Sequence, residues 1–157
     1  MADPVIRAAL ALALAAPAAA QDRPAALQAL LAYHQSACTA QGGTLTVPGA
    51  AIAEAFLLGP EDPAVILDSR KLSCSTAPSM FCADTIGCEI NVFMDDAQHS
   101  LVVQDWSLVA DDDRQLLSVT IAGELLNQPD PGTFRMTWDP ATAALVTVDP
   151  QADPTDP

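Results

Sequence analysis

Residues Pro24–Val47 read PAALQALLAYHQSACTAQGGTLTV, and the hydrophobic period changes within them at Gly42 and Gly43. Before the glycines, Leu27, Leu30, Leu31, His34 and Cys38 fall at i, i+3, i+4, i+7 and i+11, one stripe of an α-helix. Pro24 suits a first helical turn, where its missing N–H costs nothing. The paired glycines stop the helix. The spacing therefore predicts a helix over about residues 24–40 with its stripe laid on something apolar.

After the glycines, short runs rich in Val, Ile, Leu, Thr and Phe recur between turn signals, the pattern of strands. They fall near Leu45–Val47, Ala53–Leu58, Ala64–Asp68, Glu89–Met94, Leu101–Val109, Leu116–Gly123, Thr133–Trp138 and Leu145–Val148. The stretch Ala50–Leu58 also reads as a short helix. Gly59–Pro63, Asp95–Ser100, Asp111–Asp113 and Asp139–Thr142 supply the turns. No helix-length pattern separates the later strands, so parallel crossovers are not expected. The fold class that follows is α+β: an N-terminal amphipathic helix packed on an antiparallel, mostly sequential β-sheet.

Upstream, Ala8–Ala16 read AALALALAA, preceded by Arg7 and followed by Ala18-Ala19-Ala20. That is the order of a signal peptide, with an apolar core and a small-residue cleavage pattern before Gln21. The apolar run closes at Pro17, short of the ~20 residues that span a bilayer. Residues 1–20 are expected to be a leader, 21–148 one α+β domain, and 149–157 a disordered acidic, Pro-rich tail. Export without membrane insertion after cleavage places the mature chain in the periplasm or outside the cell. Removing 20 of the 157 residues leaves 137, and the formal charge stays at −14 because Asp3 and Arg7 leave together.

The mature chain retains four cysteines, Cys38, Cys74, Cys82 and Cys88. An even count in a short exported chain reads as two disulfides. Three connectivities are open; one natural arrangement pins the Cys74–Cys88 loop to itself and ties Cys38 to what remains. The gaps between cysteines do not suit zinc pairs, and the Cys-x-x-Cys of a thioredoxin-like centre is absent. His34 and Cys38 share a helical face, but a disulfide would deny that pair a free thiolate.

Twenty acidic residues against six basic ones argue against nucleic acid, whose phosphates call for clustered Lys and Arg. Asp95, Asp96 and His99 share one turn and Asp111, Asp112 and Asp113 another, without the alternating oxygens around a glycine that calcium loops use. The Gly-x-Ser-x-Gly elbow of a serine hydrolase is missing, and nothing singles out a carboxylate pair for glycoside chemistry. No enzymatic activity is expected.

Several segments carry a resemblance: Leu57–Asp68 (LLGPEDPAVILD), Leu72-Ser73-Cys74, Phe81-Cys82, Gly87–Phe93 (GCEINVF) and the strand end Thr137-Trp138-Asp139. Together they resemble small exported proteins of Gram-negative bacteria with a single FG-GAP-like hairpin. In that pattern an acidic Asp-Gly loop precedes a strand, and a Cys-Gly-x-x-Gly-Cys segment follows. The resemblance covers about 40 residues and implies calcium held by Glu61, Asp62 and Asp68. Pro60 and Pro63 stand where the pattern has glycines, and Ala83 where it has another. The composition favours an acidic, non-catalytic binding domain whose partner is a basic protein or peptide of the cell envelope, held partly by salt-sensitive attraction. A calcium-stabilised module and an envelope hydrolase are the alternatives.

Overall fold

The computed structural model describes residues 23–148. The leader expected at residues 1–20 and the tail at 149–157 lie outside the described residues. Helix α1 spans Ala25–Ala40. Its end explains the two glycines separately. Gly42 takes a left-handed φ of +73°, which only glycine adopts freely. Gly43 is instead a matter of space, because a Cβ there would sit 2.5 Å from Cys74 Sγ and 3.0 Å from Cys38 Sγ.

The strands are β1 (Leu45–Thr46), β2 (Ile52–Ala55), β3 (Ala64–Asp68), β4 (Ser73–Cys74), β5 (Cys82–Ala83), β6 (Gly87–Met94), β7 (Ala97–Val103), β8 (Asp105–Asp111), β9 (Arg114–Ile121), β10 (Gly132–Asp139) and β11 (Ala144–Thr147). A one-turn helix, α2 (Gly123–Leu126), joins β9 to β10. All named strand pairs are antiparallel. They form a first sheet ordered β2-β3-β6-β5, with β7 on the far side of β6, and a second sheet ordered β11-β10-β9-β8. A two-stranded ribbon, β1-β4, lies beside the end of α1.

The first sheet is covered on both faces. Along β3, Ala64 and Ile66 face the second sheet, while Val65 and Leu67 join the helix-side cluster with Leu27 and Phe93. Along β6, Ile90, Val92 and Met94 again point to the second sheet. Burial on both faces makes these strands read as nearly unbroken apolar runs. The second sheet contributes Leu117, Val119, Met136, Trp138 and Leu145 to the shared core. The order is therefore helix, sheet, sheet.

The stretch expected as one strand, Leu101–Val109, is two strands that meet at Gln104. β7 belongs to the first sheet and β8 to the second, so the chain turns a corner between sheets at one residue. Gln104 fixes the corner by donating its backbone N–H to Thr120 O (2.8 Å) and its side-chain amide to Thr85 O (2.7 Å). The expected turn Asp95–Ser100 contracts to Asp95-Asp96, since Met94 already pairs with Ala97. Asp112-Asp113 closes the next hairpin in the same way, between paired Asp111 and Arg114. Asp95 and Asp112 have φ of +51° and +52°, a region Asp tolerates better than most residues. Two of the acidic turns thus have a backbone reason for their aspartates.

On the helix stripe, Leu27 and Cys38 are fully buried, whereas Leu30 and Leu31 are half-covered. Leu27→Ala is expected to cost about 2–5 kcal/mol, more than the same change at Leu31. Urea midpoints of the two variants decide it; a larger loss at Leu31 would mean the helix seats differently.

Candidate functional site

A cleft of about 480 Å³ lies beside α1. Leu30, Tyr33, His34 and Ala37 form its helical wall, and Met80–Ala83 with Gly87 form the opposite wall. Ser69, Glu89 and Val102 complete it from the first sheet and the turn after β3. The wall opposite the helix is held by the Cys82–Cys88 disulfide, which joins two directly paired residues of β5 and β6. Gly87 lets this hairpin lie against the backbone of Val103, where a Cβ would overlap the Val103 carbonyl.

Three polar side chains meet this mostly apolar lining. His34 is 9% exposed and its ring packs edge-on against Phe81, with centroids 4.9 Å apart. Its buried Nε2 has no hydrogen-bond partner among the described residues, and neither has the buried Oγ of Ser69. Both atoms lacking partners, His34 and Ser69 are not bonded to each other as a nucleophile and base would be. Glu89 receives Asn91 Nδ2 on Oε1 at 2.7 Å. Asn91, fully buried, accepts in turn from Gln98 and Ser100. This chain of amides and hydroxyls sets the Glu89 carboxylate in place.

Burial pushes the His34 imidazole below its ordinary pKa of 6.5, and the nearby Glu89 carboxylate opposes that only in part. The ring is thus held neutral when folded and takes a proton more readily when unfolded. Its contribution to stability is complete above pH 6.5 and declines as the pH falls below it. We expect the melting temperature to drop between pH 7 and pH 5, and that drop to shrink in His34→Phe. A drop of equal size in both proteins would assign it to other groups.

A second polar centre lies at the corner between the sheets. Asp68, only 1% exposed, ends β3. Arg70 donates Nε to its Oδ1 (3.0 Å) and Nη2 to its Oδ2 (2.9 Å), and Trp106 donates Nε1 to Oδ2 (3.0 Å). The Arg70 backbone N–H adds a further bond to Oδ1 at 3.0 Å. Arg70 Nη1 continues to Asp105 at 2.8 Å. Burial alone would raise the Asp68 pKa; the Arg70 and Trp106 hydrogen bonds outweigh it and hold the carboxyl below its usual range. This cluster ties the end of β3 to the start of β8.

The residues expected to hold calcium are not brought together. Glu61 and Asp62 are exposed in the loop before β3, while Asp68 is at that strand's other end with both oxygens engaged by donors. Among the described residues, no group of three His, Cys, Asp or Glu side chains converges as a metal site. The four cysteines form Cys38–Cys74 and Cys82–Cys88, so Cys38 offers no thiolate beside His34. Two such bonds indicate a non-cytoplasmic, oxidising compartment. No helix among the described residues is long and apolar enough to cross a membrane.

Nothing in the sequence marks the cleft: His34 falls in the helix stripe and four residues from Cys38, and nothing adjacent in sequence links it to Ser69 or Glu89. No known protein family, curated protein or solved structure matches the chain.

Proposed function

We propose that this protein is an acidic, non-catalytic binding domain of the periplasm or the extracellular space that recognises a basic protein or peptide. The observation that carries this reading is how the charge is distributed. Of the five described basic residues, Arg70 and Arg114 are bound to the chain's own carboxylates, at 2.9 Å from Asp68 and 2.9 Å from Asp111, Lys71 lies 3.9 Å from Asp68, and Arg23 and Arg135 are exposed. Meanwhile Glu54, Glu61, Asp62, Asp84, Asp95, Asp96, Asp112, Asp113, Glu124 and Asp130 all face solvent. The surplus behind the net charge of −14 therefore projects outward as a field that draws cationic partners and repels acidic ones. The disulfides keep a small domain rigid enough to present that surface.

The test is titration of the oxidised protein with a lysine-rich peptide at 50 and 300 mM NaCl, beside the same peptide acetylated on its lysines. Binding that weakens at least tenfold with salt and vanishes on acetylation is the expected result. No binding at 50 mM, or an affinity indifferent to salt, would overturn the reading.

A further inference from the structure

We propose that the cleft beside α1 seats a lysine side chain of the basic partner, its ammonium directed to Glu89. The proposal rests on the reading above and adds a place and a chemistry to it. Glu89 is the one carboxylate in the lining, and no Lys or Arg accompanies it. A cation entering the cleft therefore meets attraction without a competing charge of its own sign.

The acceptors favour an ammonium over a guanidinium. Asn91 already occupies Oε1 of Glu89, so the two-oxygen edge that arginine grips with its fork is half taken. An ammonium carries three N–H donors on one nitrogen. The free oxygen of Glu89 can take one of them, and water at the cleft mouth the others. The walls suit the rest of the side chain: Leu30, Ala37, Met80 and Val102 offer apolar surface for four methylenes. Phe81 adds an aromatic ring to the same lining. Tyr33, 67% exposed at the lip, is free to cover the partner's backbone.

Amide and imidazole NMR signals of the oxidised protein, titrated with capped lysine (acetyl-lysine-methylamide) and capped norleucine, test this directly. Capped lysine is expected to move the signals of His34, Phe81, Glu89 and Val102, and capped norleucine to bind at least tenfold more weakly. Glu89→Gln should weaken capped lysine at least tenfold, while Glu54→Gln on exposed β2 should not. Should Glu89→Gln fail to fold, Ala37→Leu, which fills the cleft from the helix, is expected to abolish the same shifts. Unmoved cleft signals overturn the proposal, as do equal effects of the two Gln variants. If the lysine-rich peptide still binds with salt sensitivity while the cleft stays silent, only this inference falls. If the peptide does not bind but capped lysine fills the cleft, the broader reading falls and the site stands. Silence in both removes both.

Discussion

Replacing Cys38 and Cys74 together with alanine is expected to lower the free energy of unfolding by about 4 kcal/mol, against about 2 kcal/mol for the Cys82/Cys88 pair. The difference follows from the loops closed. The first bond spans 36 residues of sequence and the second only 6, and a longer closed loop restricts the unfolded chain more. Packing works in the same direction. Cys38 and Cys74 are fully buried, and Gly43 is pressed against both sulfurs, so their loss also leaves a cavity. Cys82 is only partly covered, at the rim of the cleft. Mild reductant should accordingly open Cys82–Cys88 first, with the smaller fall in the urea midpoint, and the larger fall should come with the second bond. Equal losses from the two alanine pairs would mean that residual structure in the unfolded chain, rather than loop length, sets the stabilisation.

The same two bonds show how far the sequence could be read. An even cysteine count pointed to two disulfides, but the choice among pairings rests on the register Cys82↔Cys88 and on where α1 ends against β4. Both are tertiary facts. Strand β3 was legible residue for residue, because AVILD between a proline and a polar turn has no other easy conformation. The first half of β7 reads in sequence as part of the turn Asp95–Ser100. That strand pairs on one side with β6 only, and its Gln98 and Ser100 face solvent, so its first half carries the polarity of a turn. The corner at Gln104 was invisible for the opposite reason: Val102-Val103 and Trp106 on either side read as one continuous strand. At Phe56 the expected second strand stops pairing early, since that residue's backbone is taken by Gln115 of the other sheet. The candidate site was the least legible part. His34, Ser69 and Glu89 come from a helix, a turn and a strand, and no spacing rule connects them.

Arg70→Met is expected to cost about 3–5 kcal/mol, although the arginine itself is partly exposed. The loss belongs to what stays behind. Without the guanidinium, a carboxylate with 1% exposure keeps only Trp106 Nε1, a backbone N–H and Lys71 at 3.9 Å. A buried charge stripped of its partner costs far more than the pair contributed. The pair Arg114–Asp111 makes a natural contrast: its bond is also 2.9 Å long, but its side chains are 35% and 38% exposed. Solvent screens such a pair, and Arg114→Met should cost less than about 1 kcal/mol. The pH dependence separates the two further. In the native protein the Asp68 pKa is depressed below 3.8, so its stabilisation is complete above that value and lost as the pH falls through the folded pKa. In Arg70→Met burial is no longer outweighed, the folded pKa rises above 3.8, and protonation relieves the strain. The deficit of the variant should therefore be largest near neutral pH and narrow as the pH falls towards 4. Adding Asp68→Asn should recover part of it, because a neutral amide leaves no unpaired buried charge and its one carbonyl oxygen still accepts from either Trp106 or the backbone N–H. Urea unfolding of the two single variants and the double variant at pH 7 gives the coupling. An Arg70→Met loss no larger than that of Arg114→Met would show that Asp68 does not depend on its guanidinium, and that the corner between the sheets is held by the Gln104 hydrogen bonds and apolar packing alone.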